Sequence, residues 1–286
     1  MGRKGWRDGT AGGGALTHEG MRVPSPPNSP DLSRSSRLQQ GVQQLVHIAR
    51  KDGLRNALVH ATNTAAWHLL PSRRAFARTL EHERVLAREF DQQHGVDTAG
   101  EPPLTEVGVT PEQAERGNGL YRGIWSSTFH LALRSTGVPF AQRTFVDYGS
   151  GKGKALMLAS EYPFRRIVGI EFAPALHEVA VKNLQGYQSP GQRCFSLEAV
   201  CTDALEWEPP AEPLLCFFFN PFDSATMERV LVRLAQSWRQ NPRDISLLYV
   251  NVRDVREQER VFEQSRALTL VSRSQHFLHL KVTAGP

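Results

Sequence analysis

Cysteine is scarce: the 286-residue chain has three, Cys194, Cys201 and Cys216, and no two form a C-x-x-C pair. A sparse, odd set argues against a disulfide framework or a zinc site, and for a reducing compartment, so the expected location is cytoplasmic. Cys216 stands inside an apolar run and reads as a small core residue. No apolar run approaches the ~18 residues a membrane span needs; the longest, Leu214–Phe219, is strand-sized. No membrane partner is expected. The basic N-terminus has no apolar stretch behind it, which argues against a secretory signal, and Trp6 stands where a myristoylation start wants Ser or Thr. The histidines are scattered and none is assigned as base or ligand, so no metal is expected. The net charge of +5 permits an acidic partner, nucleic acid included, without demanding one, because both signs are interspersed along the chain.

Residues 1–36 are rich in Gly, Ser and Pro and are expected to be a disordered tail. Residues 37–142 form a second region, helical in its first part. Leu38, Val42, Leu45 and Val46 recur at helical spacing, as do Phe76, Leu80, Leu86 and Phe90, with Pro71 separating two pieces. A connector over about 95–109 follows. Thr110-Pro111-Glu112-Gln113 has the pattern of a capped helix start. A short helix near Ser127–Ser135 stops at Gly137. The region is expected to be a substrate cap or an oligomer contact.

Over 143–286 short apolar runs alternate with amphipathic segments. Strands are expected at Phe145–Asp147, Arg166–Glu171, Glu198–Thr202, Leu214–Asn220, Ile245–Asn251, Leu268–Ser272 and Phe277–Val282. Helices are expected over about 152–161, 174–184, 223–239 and 255–264. Such alternation implies an α/β domain: a mostly parallel sheet covered on both faces, ending in an antiparallel hairpin.

In such a sheet, ligands bind beyond the carboxyl ends of the strands. The first strand ends in Asp147-Tyr148-Gly149-Ser150-Gly151-Lys152-Gly153. Alternate glycines let the backbone turn sharply and approach a ligand, and the helix after them is expected to offer unpaired N–H groups to a carboxylate or a phosphate. The dinucleotide pattern G-x-G-x-x-G/A fails in both registers, ending on Lys154 or Leu156. The P-loop pattern fails because neither Gly-Lys pair precedes Ser or Thr. Lys152 and Lys154, at a helix start, read as solvated, though either could meet an acidic substrate.

What remains, hydrophobic-Asp-x-Gly-x-Gly-x-Gly, resembles motif I of the class I S-adenosylmethionine-dependent methyltransferases. The resemblance covers about residues 144–282. Glu171 ends the second strand, with Phe172 after it, and an acid there suits the two ribose hydroxyls. Asp203 and Ala204 end the third strand, where the family's acid meets the adenine amino group. Asn220-Pro221-Phe222 is similar to the Asn/Asp-Pro-Pro-aromatic motif of amino-group methyltransferases, with one proline missing. The wording VDYGSGKGKALMLASEYPFRRIVGIEF and the segment Phe90–Gly100 resemble a stand-alone bacterial group of unassigned substrate, more distantly the Dot1-like lysine methyltransferases. Where that group carries Tyr-x-Pro-Thr, this chain has Tyr121-Arg122-Gly123-Ile124-Trp125.

The resemblance implies S-adenosyl-L-methionine held by Asp147, Gly149, Ser150, Gly151, Gly153, Glu171, Phe172, Asp203, Ala204 and Asn220. It implies a catalytic set of Asn220, Pro221, Phe222 and Tyr121. Tyr121 and Trp125 read either as a lid or as ordinary packing. The expected reaction is methyl transfer to a nitrogen acceptor, a protein lysine or another amine. The alternatives are a nucleic-acid acceptor, or a cofactor-binding protein of the same fold that does not transfer.

Overall fold

A computed structural model describes residues 71–117, 119–251 and 255–283. The expected tail at 1–36 and the first helical piece before Pro71 lie outside the described residues. The chain enters on helix α1, Pro71–His94. A 3-10 turn, Leu104–Val107, lies inside the expected connector. Helix α2, Pro111–Arg116, starts as its sequence requires: Thr110 accepts the Gln113 N–H and the Gln113 side chain accepts the Thr110 N–H. Helix α3 spans Ser126–Ser135.

The sheet comprises β1 Thr144–Tyr148, β2 Arg166–Glu171, β3 Leu197–Cys201, β4 Leu214–Phe219, β5 Ile245–Val250, β6 Leu268–Arg273 and β7 Phe277–Val282. Between them lie α4 Lys154–Ala159, α5 Pro174–Gly186, α6 Ser224–Gln240 and α7 Arg256–Gln264. The strand order is β3-β2-β1-β4-β5-β7-β6. β1 to β5 pair in parallel, and β7 lies antiparallel between β5 and β6. This is the Rossmann-like, mostly parallel sheet with a C-terminal antiparallel hairpin that the sequence pattern implied.

Side chains alternate across the central strands, so two apolar layers form. Val146, Tyr148, Cys216, Phe218, Leu247 and Tyr249 meet Met227, Val230 and Leu234 of α6. On the other face Phe145, Leu215, Phe217 and Leu248 meet Phe129 and Leu133 of α3 and Leu156 of α4. Phe129 is fully buried, with its ring 5.3 Å from that of Phe217 and 6.0 Å from that of Phe145. Cys216 is buried as expected, which pushes its thiol up to about 12.

β1 pairs with β2 on one side and β4 on the other, and the chain crosses to opposite faces at that point. A crevice opens there beyond the carboxyl ends of the strands. Asp147, Glu171 and Asn220 all fall at this edge.

Candidate functional site

A cavity of about 310 Å³ occupies the crevice. Its floor is Asp147 and the glycine loop from β1, Glu171 and Phe172 from β2, and Phe219 to Phe222 from β4. Its roof is Leu104, Gly117, Leu120, Tyr121 and Ile124, from the segment before the sheet. A smaller recess of about 30 Å³ adjoins it, sharing Gly117, Gly149, Phe172 and Phe222 and holding Asp203 and Ala204.

The glycine loop is shaped by close neighbours. Gly149 and Gly151 have φ of 80° and 53°, in the left-handed region. A Cβ at Gly149 would stand 2.7 Å from the Pro221 Cβ, and one at Gly151 would stand 2.4 Å from the Tyr121 ring. The β4 loop and the roof therefore press directly on the glycines. Tyr121 is 6% exposed, and its hydroxyl donates to the Thr98 carbonyl at 2.8 Å. It is a fixed roof over the loop. Trp125 lines neither hollow and stands just before α3.

Four of the loop's N–H groups are spent within the protein. Gly149 and Ser150 both donate to the Ile170 carbonyl at 2.9 Å, and Gly153 donates to the Ser150 carbonyl. Gly151 donates to Glu171 Oε2 at 2.7 Å. These four amides are turned inward, and no phosphate fork is left among them. Helix α4 starts only at Lys154.

Two further loop assignments change. Gly153 lines neither hollow; it packs against Ala180 of α5, whose Cβ lies 3.4 Å from the place of a Gly153 Cβ. Ser150 lines the cavity, but its Oγ is turned to β2, 2.7 Å from where a Gly169 Cβ would stand.

Asp147 is 3% exposed, and no hydrogen bond to its carboxylate occurs among the described residues. Burial first, and then the neighbouring Glu171, push its pKa well above the ordinary carboxylate value. Glu171 is equally buried but is better satisfied. Its oxygens accept the N–H groups of Gly151 and Ala173, which partly offset a burial that raises its pKa. A carboxylate has about four acceptor positions, so capacity for a vicinal diol remains. Asp203 is engaged otherwise: Oδ2 receives Arg116 at 2.9 Å and Oδ1 receives the Leu205 N–H.

Asn220 has φ of 44°, the one described non-glycine residue in the left-handed region. The Tyr249 hydroxyl donates to its Oδ1 at 2.6 Å, fixing the carboxamide at the cavity wall. Pro221 and Phe222 line the cavity beside it.

Neither loop lysine is solvated. Lys152 Nζ lies 2.7 Å from Asp97 Oδ1 and donates to the Ala99 carbonyl. Lys154 is 4% exposed, lines the cavity, and sets its ammonium 5.0 Å from the Phe90 ring centroid. The segment Phe90–Gly100 supplies both neighbours. Asp91 of α1 ties it down by accepting the Thr98 and Ala99 N–H groups and the Thr98 hydroxyl. Asn183 of α5 bonds Asp97 and the Lys152 carbonyl.

A scan against protein-family models and a search of curated proteins found no match. Several solved structures are similar in fold. Magnesium protoporphyrin IX methyltransferase from Synechocystis, with bound S-adenosylmethionine, is 11% identical over 55% of this chain and 77% of its own, at a TM-score of 0.38. An RNA methyltransferase from Salinibacter ruber, in complex with S-adenosyl-L-homocysteine, is 14% identical over 56% of this chain and 93% of its own, at 0.39. The mitomycin 7-O-methyltransferase is 16% identical over 77% of this chain and 71% of its own, at 0.44. These likenesses are distant.

Asn251 and Tyr249 escaped the site reading of the sequence. Asn251 lines the cavity one residue beyond β5, as Asn220 does beyond β4. The strand-end rule that selects Asn220 would have selected it. Tyr249 left no such signal, because only the fold brings β5 under the β4 turn.

Proposed function

We propose that this chain is an S-adenosyl-L-methionine-dependent methyltransferase, with a nitrogen atom of a protein lysine or another amine as acceptor. The observation that carries the reading is Asp147: a buried carboxylate on the cavity floor with no donor or cation upon it among the described residues. A cationic ligand group is what such an acid needs to ionise. The cofactor's methionine end has an α-ammonium for it, while Glu171 and the recess of Asp203 and Ala204 suit a ribose and a base. Phe172, lining both hollows, packs between them. The failed dinucleotide pattern, ending on Lys154 or Leu156, speaks against a dinucleotide.

The bound cofactor supplies a methyl group already activated on a sulfonium. The protein's part is to align the acceptor and exclude water. Asn220 Oδ1, oriented by Tyr249, stands at the cavity wall where the acceptor would lie. Phe219, Phe222 and Ile124 give apolar walls, which favour the neutral, nucleophilic amine by desolvation. Tyr121 contributes shape, since its hydroxyl is committed to Thr98. The described residues before β1 act as the cap that completes the cavity. Three unpaired thiols fit work in the cytoplasm.

Calorimetry with S-adenosylhomocysteine tests the cofactor, and incubation of proteome fractions with labelled cofactor tests the acceptor. Micromolar binding and label on an amine are expected. No binding would overturn the reading as a whole; label on RNA or on an oxygen would overturn the nitrogen acceptor.

A further inference from the structure

Resting on the cofactor proposed above, a question follows about the two charges of its amino-acid end. An α-amino acid brings an ammonium and a carboxylate into the crevice. Asp147 answers the first. The obvious answer to the second would be the glycine-loop amides, but those of Gly149, Ser150, Gly151 and Gly153 are spent within the protein.

The N–H groups at the start of α4, those of Lys154 and Ala155, remain for it, and a full positive charge beside them would come from a side chain. Two basic residues line the cavity, Arg122 and Lys154. Arg122 is already ion-paired, its Nε donating to Glu101 Oε1 at 2.6 Å. Lys154 is 4% exposed and makes no ion pair with any described carboxylate. Asp91 and Glu83 of α1 act on it only from outside ion-pair distance, and Asp91 has its oxygens turned to Thr98 and Ala99. The face of Phe90 holds the ammonium on one side, and Gly123 lies against the stem, where an added Cβ would come within 3.3 Å of Cδ. A ring face is a weak substitute for an anion, and burial lowers the ammonium's pKa accordingly. A buried lysine in this state is complementary to an anionic ligand group.

We infer that Lys154 is the binding residue for the α-carboxylate of the cofactor, so that Asp147 and Lys154, seven positions apart across the glycine loop, clamp the zwitterion from its two ends.

Calorimetry of the full chain with S-adenosylmethionine and with its decarboxylated form, on wild type and Lys154→Met, tests this. Decarboxylated ligand lacks the carboxylate but keeps the amine and sulfonium. Wild type is expected to bind it about 10- to 100-fold more weakly, the worth of a charge-assisted bond. Lys154→Met is expected to lose a similar factor for the intact ligand and little for the decarboxylated one. Equal wild-type affinities for the two ligands would overturn the inference without any variant being needed. A Lys154→Met chain that weakens both ligands equally would overturn it too, by showing a structural role. Wild type binding neither ligand would overturn the cofactor reading and this inference together.

Discussion

Two acids lie side by side on the cavity floor, and substituting them is expected to have opposite effects on the free protein. Asp147 is buried without a donor among the described residues, so its folded pKa lies above its unfolded value. Between those two values the folded chain binds more protons than the unfolded one. Its contribution is therefore favourable below the ordinary Asp range, about 3.9, and is lost as pH rises toward the folded value. Asp147→Asn should raise the melting temperature of the ligand-free protein, by about 2–4 °C for each kcal/mol relieved. The gain over wild type should widen as pH goes from 4 toward neutrality, and binding of S-adenosylhomocysteine should be lost. Scanning fluorimetry across that pH range, with and without ligand, reads both effects; a destabilised Asp147→Asn chain at pH 7 contradicts the assignment. Glu171 instead holds the Gly151 and Ala173 amides. Glu171→Ala should destabilise the free protein, by about 1–3 kcal/mol for each buried N–H left unpaired, and should also lose the ligand. Denaturant melts of the two variants, compared in sign, test the contrast.

Among the elements, α3 carries more than a connecting role. Its Phe129 sits in the same layer as Phe145 of β1 and Phe217 of β4. Phe129→Ala should cost about 3–5 kcal/mol and lower the urea midpoint of a single transition. Two separate transitions would mean that α3 folds apart from the sheet. Asp244, at the start of β5, receives the Arg143 guanidinium at 2.6 Å, which holds its carboxyl below the usual range. That stabilisation is present above the unfolded Asp value and disappears as pH falls through the folded one. Arg143→Met should therefore narrow the acid side of the stability profile, measured as the midpoint of acid unfolding. The strands and their parallel order were legible in the sequence because fully buried strands such as LLCFFF and ISLLYV read as short apolar runs bounded by polar turns. The 3-10 turn at Leu104–Val107 was not, because a four-residue element has no period to detect.

For the whole molecule, a ligand that binds only the folded state stabilises by mass action. At 100 times its dissociation constant, S-adenosylhomocysteine should add about 2.7 kcal/mol, or about 5–11 °C in melting temperature for a domain of this size. A ligand-independent melt over that concentration range would refute the proposed cofactor. The sequence by itself determined the sheet, its closing hairpin and the strand ends where ligands are met, because hydrophobic periodicity and glycine spacing are local and one-dimensional. Asp147, Glu171 and Asn220 were found on that basis. Only the tertiary structure decided what the glycine loop does with its amides, that Gly153 packs on α5, that Arg116 reaches Asp203, and that Lys154 is buried at the wall of the cavity that Asp147 lines. Each of these depends on residues far apart in the chain coming together. Lysine after a glycine turn reads as solvated in any one-dimensional view; it is Phe90 and Gly123, packed against Lys154, that help remove it from water.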